Sequence, residues 1–329
     1  MKKFLYTVEE ANKLIIAGKK LVIAGSHNYL KMLEKGSWIG GTSYYCFTGG
    51  TGVDCRDFLF IQEIPSYCEE IKIKYYDLNN LKNIYLDMFD NGFSVILIPF
   101  ESKTHFKYPI DVINYPFFAT KPLIGWIAGV PLDNKNNLKA IVYDGSNKDS
   151  FPDGAIVMHI KLPQNKLADV KVCNVFEAAG EHDLEFCEEG FNIKTLIVKD
   201  KKYNFIDYIK SNNLDIKFPL VGNLANAIPT ISSFKEIDES GQIVKLYAPV
   251  YRGIKYGLAR QEKNYFEMLI KNIHIENNFI LPSLCILHFV YGELQNKHTN
   301  KIPDVPTTFG EIAHILVNQT LTYLTIYDV

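Results

Sequence analysis

The sequence predicts a mixed α+β protein of two domains, each with mixed sheets flanked by helices. Three observations predict it. The chain has 329 residues, more than one ordinary core holds and about right for two domains. Short apolar runs of strand length recur along it with few helices between them. That favours mixed sheets with antiparallel neighbours over a regular strand–helix repeat. In the first third, a strand, a helical pattern and another strand succeed one another, the order of a layered αβ domain. The 47% apolar and 22% charged residues are those of a globular chain, not a disordered one.

Thr7-Val8-Glu9-Glu10 forms a capping box, and Ala11, Leu14 and Ile15 keep helical spacing until Gly18. Leu21–Gly25 reads as a short buried strand, with Ser26 after it as a helix cap. Glycines then crowd residues 36–52, and residues 58–64 and 71–77 read as strands, the second alternating. Asp77 is positioned to cap an amphipathic helix. Its apolar face would be Leu78, Leu81, Ile84, Tyr85, Met88 and Phe89, and Asn91-Gly92 would stop it. Residues 93–100 make a buried strand, and β-like runs recur at 123–130, 140–145, 155–162, 170–176 and 195–200. Residues 203–213 read as a helix, and the domain boundary is set there, giving residues 1–212 and 213–329. Beyond it come a hairpin turning at residues 238–241, a helix over 262–273, and strands from 281–292 and the closing run.

The net charge of −2 and the pI near 6.5 argue against a broad phosphate-neutralising face, so no nucleic-acid partner is expected. The arginines are Arg56, Arg252 and Arg260; the bidentate fork makes each a better candidate for anion contact than a lysine. Six cysteines show no Cys-x-x-Cys pair, which implies reduced thiols in a cytoplasmic protein. Glu9 and Glu10 interrupt any apolar signal core, and the apolar runs are too short to span a bilayer, so no membrane insertion is expected. His105, His159, His288 and His314 lie in or beside apolar runs without metal-ligand spacing, and Glu181-His182-Asp183 reads as a solvated loop. No metal and no cofactor are expected.

The run 306–328 places Glu311, His314, Asn318, Gln319 and Thr320 within ten positions of one another, against an apolar tail. This run resembles the closing signature of FIST domains, small-molecule sensory modules of bacterial signalling proteins. WIGGTSYY at 38–45 resembles the Gly/Ser-rich turn of the FIST N-terminal half. FPLVGNL at 218–224 and LYAPVYRGIKYGLAR at 246–260 look like the start of its C-terminal half, and LPSLCILHFVYGE at 281–293 like its Cys-containing strand. Residues 105–110, 122–133 and 155–163 are more similar to stand-alone bacterial proteins allied to FIST. The resemblance implies two FIST-like domains, a small polar, amino-acid-like metabolite as ligand, and a signalling protein partner acting in trans.

The candidate ligand-binding residues are Gly40, Gly41, Thr42, Arg252, Glu311, His314, Asn318, Gln319 and Thr320. The glycines would cradle an anion on converging backbone N–H groups, or else form tight turns. The C-terminal carboxylate and amides suit the two ends of an amino-acid-like ligand, with Arg252 or Arg260 complementing an acidic group. The same groups could equally close the last strand onto the core as a buried polar network. No residue is assigned as catalytic. An alternative is a hydrolase or transferase using Cys46 or Glu311; another is an interaction scaffold without a ligand.

Overall fold

In the computed structural model, residues 3–133, 138–180, 183–224 and 228–329 are described; Glu181 and His182 lie outside them. Strand residues outnumber helical ones, 42% to 16%, so the α+β class holds in a sheet-dominated form. Five sheets are present among the described residues. The first runs Leu5–Tyr6, Leu59–Glu63, Leu21–Gly25, Trp38–Thr42, Val142–Asp144, Asp149–Phe151. The second runs Ile315–Val317, Glu311–Ala313, Leu123–Ala128, Gly92–Pro99, Ala155–Lys161, Ile71–Tyr76. The third places Thr320–Asp328 between Lys166–Asn174 and Phe279–Cys285, and continues through Val305–Thr308 to the hairpin of Tyr45–Thr48 and Thr51–Asp54.

The remaining two sheets hold the segment 184–258, which has an apolar core of its own around Phe186, Phe205, Leu220, Val244 and Tyr256. The main core extends from Val22 to Leu324. Every sheet except the first takes strands from both sides of residue 212. The C-terminal strands therefore complete layers begun by the N-terminal half.

Most strand pairs are antiparallel, but three adjacent pairs are parallel, each joined through a helix. They are Leu21–Gly25 with Trp38–Thr42, Gly92–Pro99 with Leu123–Ala128, and Phe279–Cys285 with Val305–Thr308. Their crossovers carry the helices His27–Leu30, Lys103–Asp111 and Ile286–Tyr291. The first two pairs meet at their carboxyl ends. Gly129 N donates to Thr42 O at 2.7 Å, and Thr42 Oγ1 donates to Gly129 O at 2.7 Å.

Local chemistry explains several elements. Thr7 and Glu10 make the reciprocal capping box of Val8–Ile16. The expected hairpin forms from Phe234–Asp238 and Ile243–Val250, with Asp238 Oδ1 accepting from Gly241 N at 2.9 Å. The helix expected after Asp77 does not form. The Asp77 carboxylate accepts from Asn79 N and Asn80 N, an Asx turn that diverts the chain into a single 3-10 turn at Leu81–Asn83. Leu81, Ile84, Tyr85 and Met88 are buried all the same; the apolar pattern marked the core correctly but not the helix. Residues 281–292, expected as strand, split at Cys285 into the end of Phe279–Cys285 and the helix Ile286–Tyr291.

The glycine-rich segment is neither a phosphate cradle nor a pair of turns at its centre. Gly40 and Gly41 lie inside the strand Trp38–Thr42, hydrogen-bonded on both sides. A Cβ on Gly41 would sit 3.2 Å from Ala128 Cβ and 3.4 Å from Trp126 Nε1. This glycine lets the first sheet approach the second.

Candidate functional site

Two regions collect polar groups, and they differ in access. The first is the C-terminal set. Glu311, Asn318, Gln319 and Thr320 are completely buried. Glu311 Oε1 accepts from Thr308 Oγ1 at 2.8 Å, and Oε2 from Thr320 Oγ1 at 2.9 Å and Thr320 N at 3.4 Å. The Cys285 thiol lies beside the carboxyl. Burial outweighs these bonds and pushes the Glu311 carboxyl up to about 8, so it is a neutral acid at pH 7. Burial likewise pushes the Cys285 thiol well above its ordinary value, which makes it a poor nucleophile.

Gln319 ties four segments together. Its Oε1 accepts from Ser233 Oγ at 2.7 Å, while Nε2 donates to Lys217 O at 2.9 Å and to Tyr265 OH at 2.8 Å. Tyr265 OH is also hydrogen-bonded to His288 Nδ1 at 2.9 Å. Asn318 is held by its backbone, N donating to Ile231 O at 3.1 Å. His314 and Gln319 occupy the tight turns either side of Ile315–Val317 with φ of 62° and 48°. Tyr85 OH bonds His314 Nδ1 at 3.2 Å, and Tyr108 OH donates to His314 O at 2.8 Å. Burial pushes His314 down to about 4, so its ring is neutral at pH 7.

Arg252 does not join this set. It is exposed and donates from Nη2 to Cys187 O at 3.1 Å. Arg260 pairs on the surface with Glu177 at 3.6 Å. Gly41 approaches the set only through Trp126, the ladder partner of Glu311. Thr42 is engaged with Gly129.

A buried relay stands apart from the residues singled out in the sequence except for His159. Ser94 Oγ donates to His159 Nδ1 at 2.7 Å; His159 Nε2 donates to Tyr76 OH at 2.8 Å; Tyr76 OH donates to Asp87 Oδ2 at 2.7 Å. The direction is set by Asp87, which is also paired with Lys74 at 2.7 Å and can only accept. The interposed tyrosine and the complete burial of Ser94 and His159 make it a cross-strand polar pairing, not a hydrolytic triad. The alternation at residues 71–76 was the available signal, but the partners lie on three strands and a loop.

Cys46 does not carry a free thiol. It forms a disulfide with Cys55 across the base of the Tyr45–Thr48 and Thr51–Asp54 hairpin. This corrects both the expectation of uniformly reduced thiols and the choice of Cys46 as a nucleophile. The cytoplasmic location argued from reduced thiols loses that support. No helix among the described residues is long and apolar enough to cross a membrane.

The second region is open. At the carboxyl ends of Gly92–Pro99 and Leu123–Ala128 lies a crevice of about 520 Å³. Phe100, Val130, Leu138, Ala140 and Pro152 give it an apolar lining, and Glu101, Lys103, Lys139 and Asp153 its charge. A neighbouring crevice of about 450 Å³ sits by the carboxyl end of Leu21–Gly25, lined by residues including Ser26, Asn28, Tyr29, Arg56, Asp57 and Asp133. Leu138 borders both. Neither is lined by the C-terminal set. A larger hollow of about 690 Å³ runs along residues 261–272 alone and brings no distant residues together.

Comparison with known families decides the ancestry. The match runs over residues 6–327, nearly the whole chain. The chain belongs to DUF6976, a family of unknown function. No FIST domain is matched, which overturns the FIST resemblance. The signalling partner implied by that resemblance loses its basis. No curated protein matches the DUF6976 chain.

Proposed function

We propose that this protein binds a small, charged, polar metabolite in the crevice formed by residues 100–103, 130, 138–140 and 152–153. One observation carries the reading: an open concave site lies at the carboxyl ends of a parallel strand pair, where helix crossovers leave room for ligands in layered αβ folds. The apolar lining supplies contact area, and the charged rim supplies orientation. Lys103 and Lys139 form no ion pair among the described residues, whereas Glu101 is paired with Lys235 and Asp153 accepts from Thr104 N, Thr104 Oγ1 and Gly154 N. The lysines therefore remain available to an anionic group. The C-terminal set is closed to solvent, with Glu311, Gln319 and Thr320 bonded within the fold and only the Asn318 side-chain amide of the set without a partner among the described residues, and is read as the internal brace of the fold and not as the ligand seat.

The test is a thermal-shift screen against amino acids, carboxylates and phosphorylated metabolites, repeated on Lys103→Ala with Lys139→Ala. A ligand at a hundred times its Kd adds about 2.7 kcal/mol. Binding should weaken in the double variant. Binding that ignores both lysines, or a panel that never shifts the melting point, overturns the reading.

A further inference from the structure

The two crevices that share Leu138 differ in which charge stands without an ion pair. In the first, Glu101 is paired with Lys235 at the rim and Asp153 keeps its charge, held by backbone and hydroxyl donors with Lys103 adding a weaker attraction, while neither Lys103 nor Lys139 forms an ion pair among the described residues. In the second, the arginine is already engaged. Arg56 Nε lies 2.9 Å from Asp54 Oδ2, and Nη2 lies 2.8 Å from Asp133 Oδ2 and 3.2 Å from Tyr45 OH. That clamp leaves Asp57 as the exposed carboxylate with no ion pair among the described residues. Asn28 and Tyr29 stand beside it in the lining.

The two halves are held in fixed relation. The Thr42–Gly129 hydrogen bonds join the carboxyl ends of the two parallel pairs. Leu132 N donates to Tyr45 OH at 3.1 Å, and Arg56 bonds the same hydroxyl. The segment carrying Val130 to Asp133 is thus anchored between the crevices, with Val130 lining one and Pro131 and Asp133 the other.

Resting on the reading of the first crevice as a ligand site, we propose that both crevices form one bipartite site for an elongated zwitterion, its carboxylate held by Lys103 and Lys139 and its ammonium group by Asp57. The class comprises short linear peptides and long-chain amino acids, since these separate a free amine from a free carboxylate along an extended backbone. Charge complementarity at both ends gives orientation, and the apolar strip at Leu138 accommodates the chain between them.

The experiment is calorimetric titration of the whole chain with triglycine, tetraglycine and pentaglycine, each as the free zwitterion, the N-acetyl acid and the C-terminal amide. Blocking either end should weaken binding by roughly tenfold, the factor that one lost charge contact of ordinary strength gives. Lys103→Ala with Lys139→Ala should make acid and amide bind alike. Asp57→Asn should make amine and acetylated peptide bind alike. If amidation weakens binding but acetylation and Asp57→Asn do not, the bipartite site is wrong and the single anion crevice stands. If no peptide binds while a short carboxylate does so in a Lys103-dependent way, the bipartite site again falls alone. If neither peptides nor carboxylates bind, both readings fall.

Discussion

The C-terminal brace and the open crevices use similar side chains to opposite ends. Around Gln319 and Glu311, groups from several segments bond one another away from solvent, while the buried Asn318 side-chain amide has no partner among the described residues. At the crevices, lysines and an aspartate stand exposed without an ion pair among the described residues. A buried hydrogen-bond network is costly to break because a stranded partner loses solvation as well as its bond. An exposed charge contributes little to folding and stays available to a ligand. Residue type and clustering therefore do not distinguish a brace from a binding site; access does.

The comparison breaks most visibly at Gln319. Gln319→Ala strands Ser233, Tyr265 and the Lys217 carbonyl together, and should lower the unfolding free energy by about 3–4 kcal/mol in urea titration. A change within about 0.5 kcal/mol would mean that the network is not a brace. Opening the hairpin staple comes next. Cys46→Ser with Cys55→Ser, nine residues apart, should cost about 2–3 kcal/mol, measured under non-reducing conditions against the wild type.

Glu311 gives a smaller effect with a distinctive sign. Its folded pKa of about 8 lies above the ordinary value of 4.5, so the folded state keeps a proton that the unfolded chain has lost. Stability from this group is full below about 4.5 and falls as pH rises to about 8. The buried histidines act oppositely: burial pushes His105 and His288 down to about 3, and His159 and His314 to about 4. Their neutral forms are favoured on folding, so stability falls as pH drops below about 6.5. Just above pH 6.5 the histidines are still partly protonated in the unfolded chain and their slope opposes that of Glu311, so the Glu311 contribution, at most about 1.4 kcal/mol per pH unit, is read as a difference. Between pH 6.5 and 8 the stability of the wild type relative to Glu311→Gln, measured by denaturation, should decline as pH rises.

The smallest effect lies at the crevice. Lys103→Ala should change apo stability by no more than about 0.5 kcal/mol while weakening a bound carboxylate. An apo loss as large as that of Gln319→Ala would erase the distinction between the two regions.

Local signals read true in the sequence where the physics was local. The Thr7 capping box and the Asp238 hairpin need only neighbouring residues. The stretch after Asp77 failed because helical spacing and an Asx turn compete, and the burial of Leu81 and Ile84 satisfies either outcome. Gly41 was misread because the groups crowding its Cβ position are Ala128 and Trp126, some ninety positions away; Gly40 is crowded by Leu30, Trp38 and Ile23. The C-terminal set was legible as a cluster, whereas its bonding depends on Ser233, Lys217, Tyr265 and Cys285, which no spacing connects to it. The crevices depend on where strands end in space, and no single motif carries that.

Thr320–Asp328 lies inside the third sheet, with Lys166–Asn174 on one side and Phe279–Cys285 on the other. During synthesis it leaves the ribosome after both strands that flank it. Until then those two strands present unpaired edges and apolar faces to the cell, the kind of surface that recruits chaperones and invites aggregation. A ribosome stalled before Thr320 would hold a chain with the N-terminal helix made and the central layer open. The vulnerable period of this protein's life lasts until Thr320–Asp328 arrives between its two neighbours.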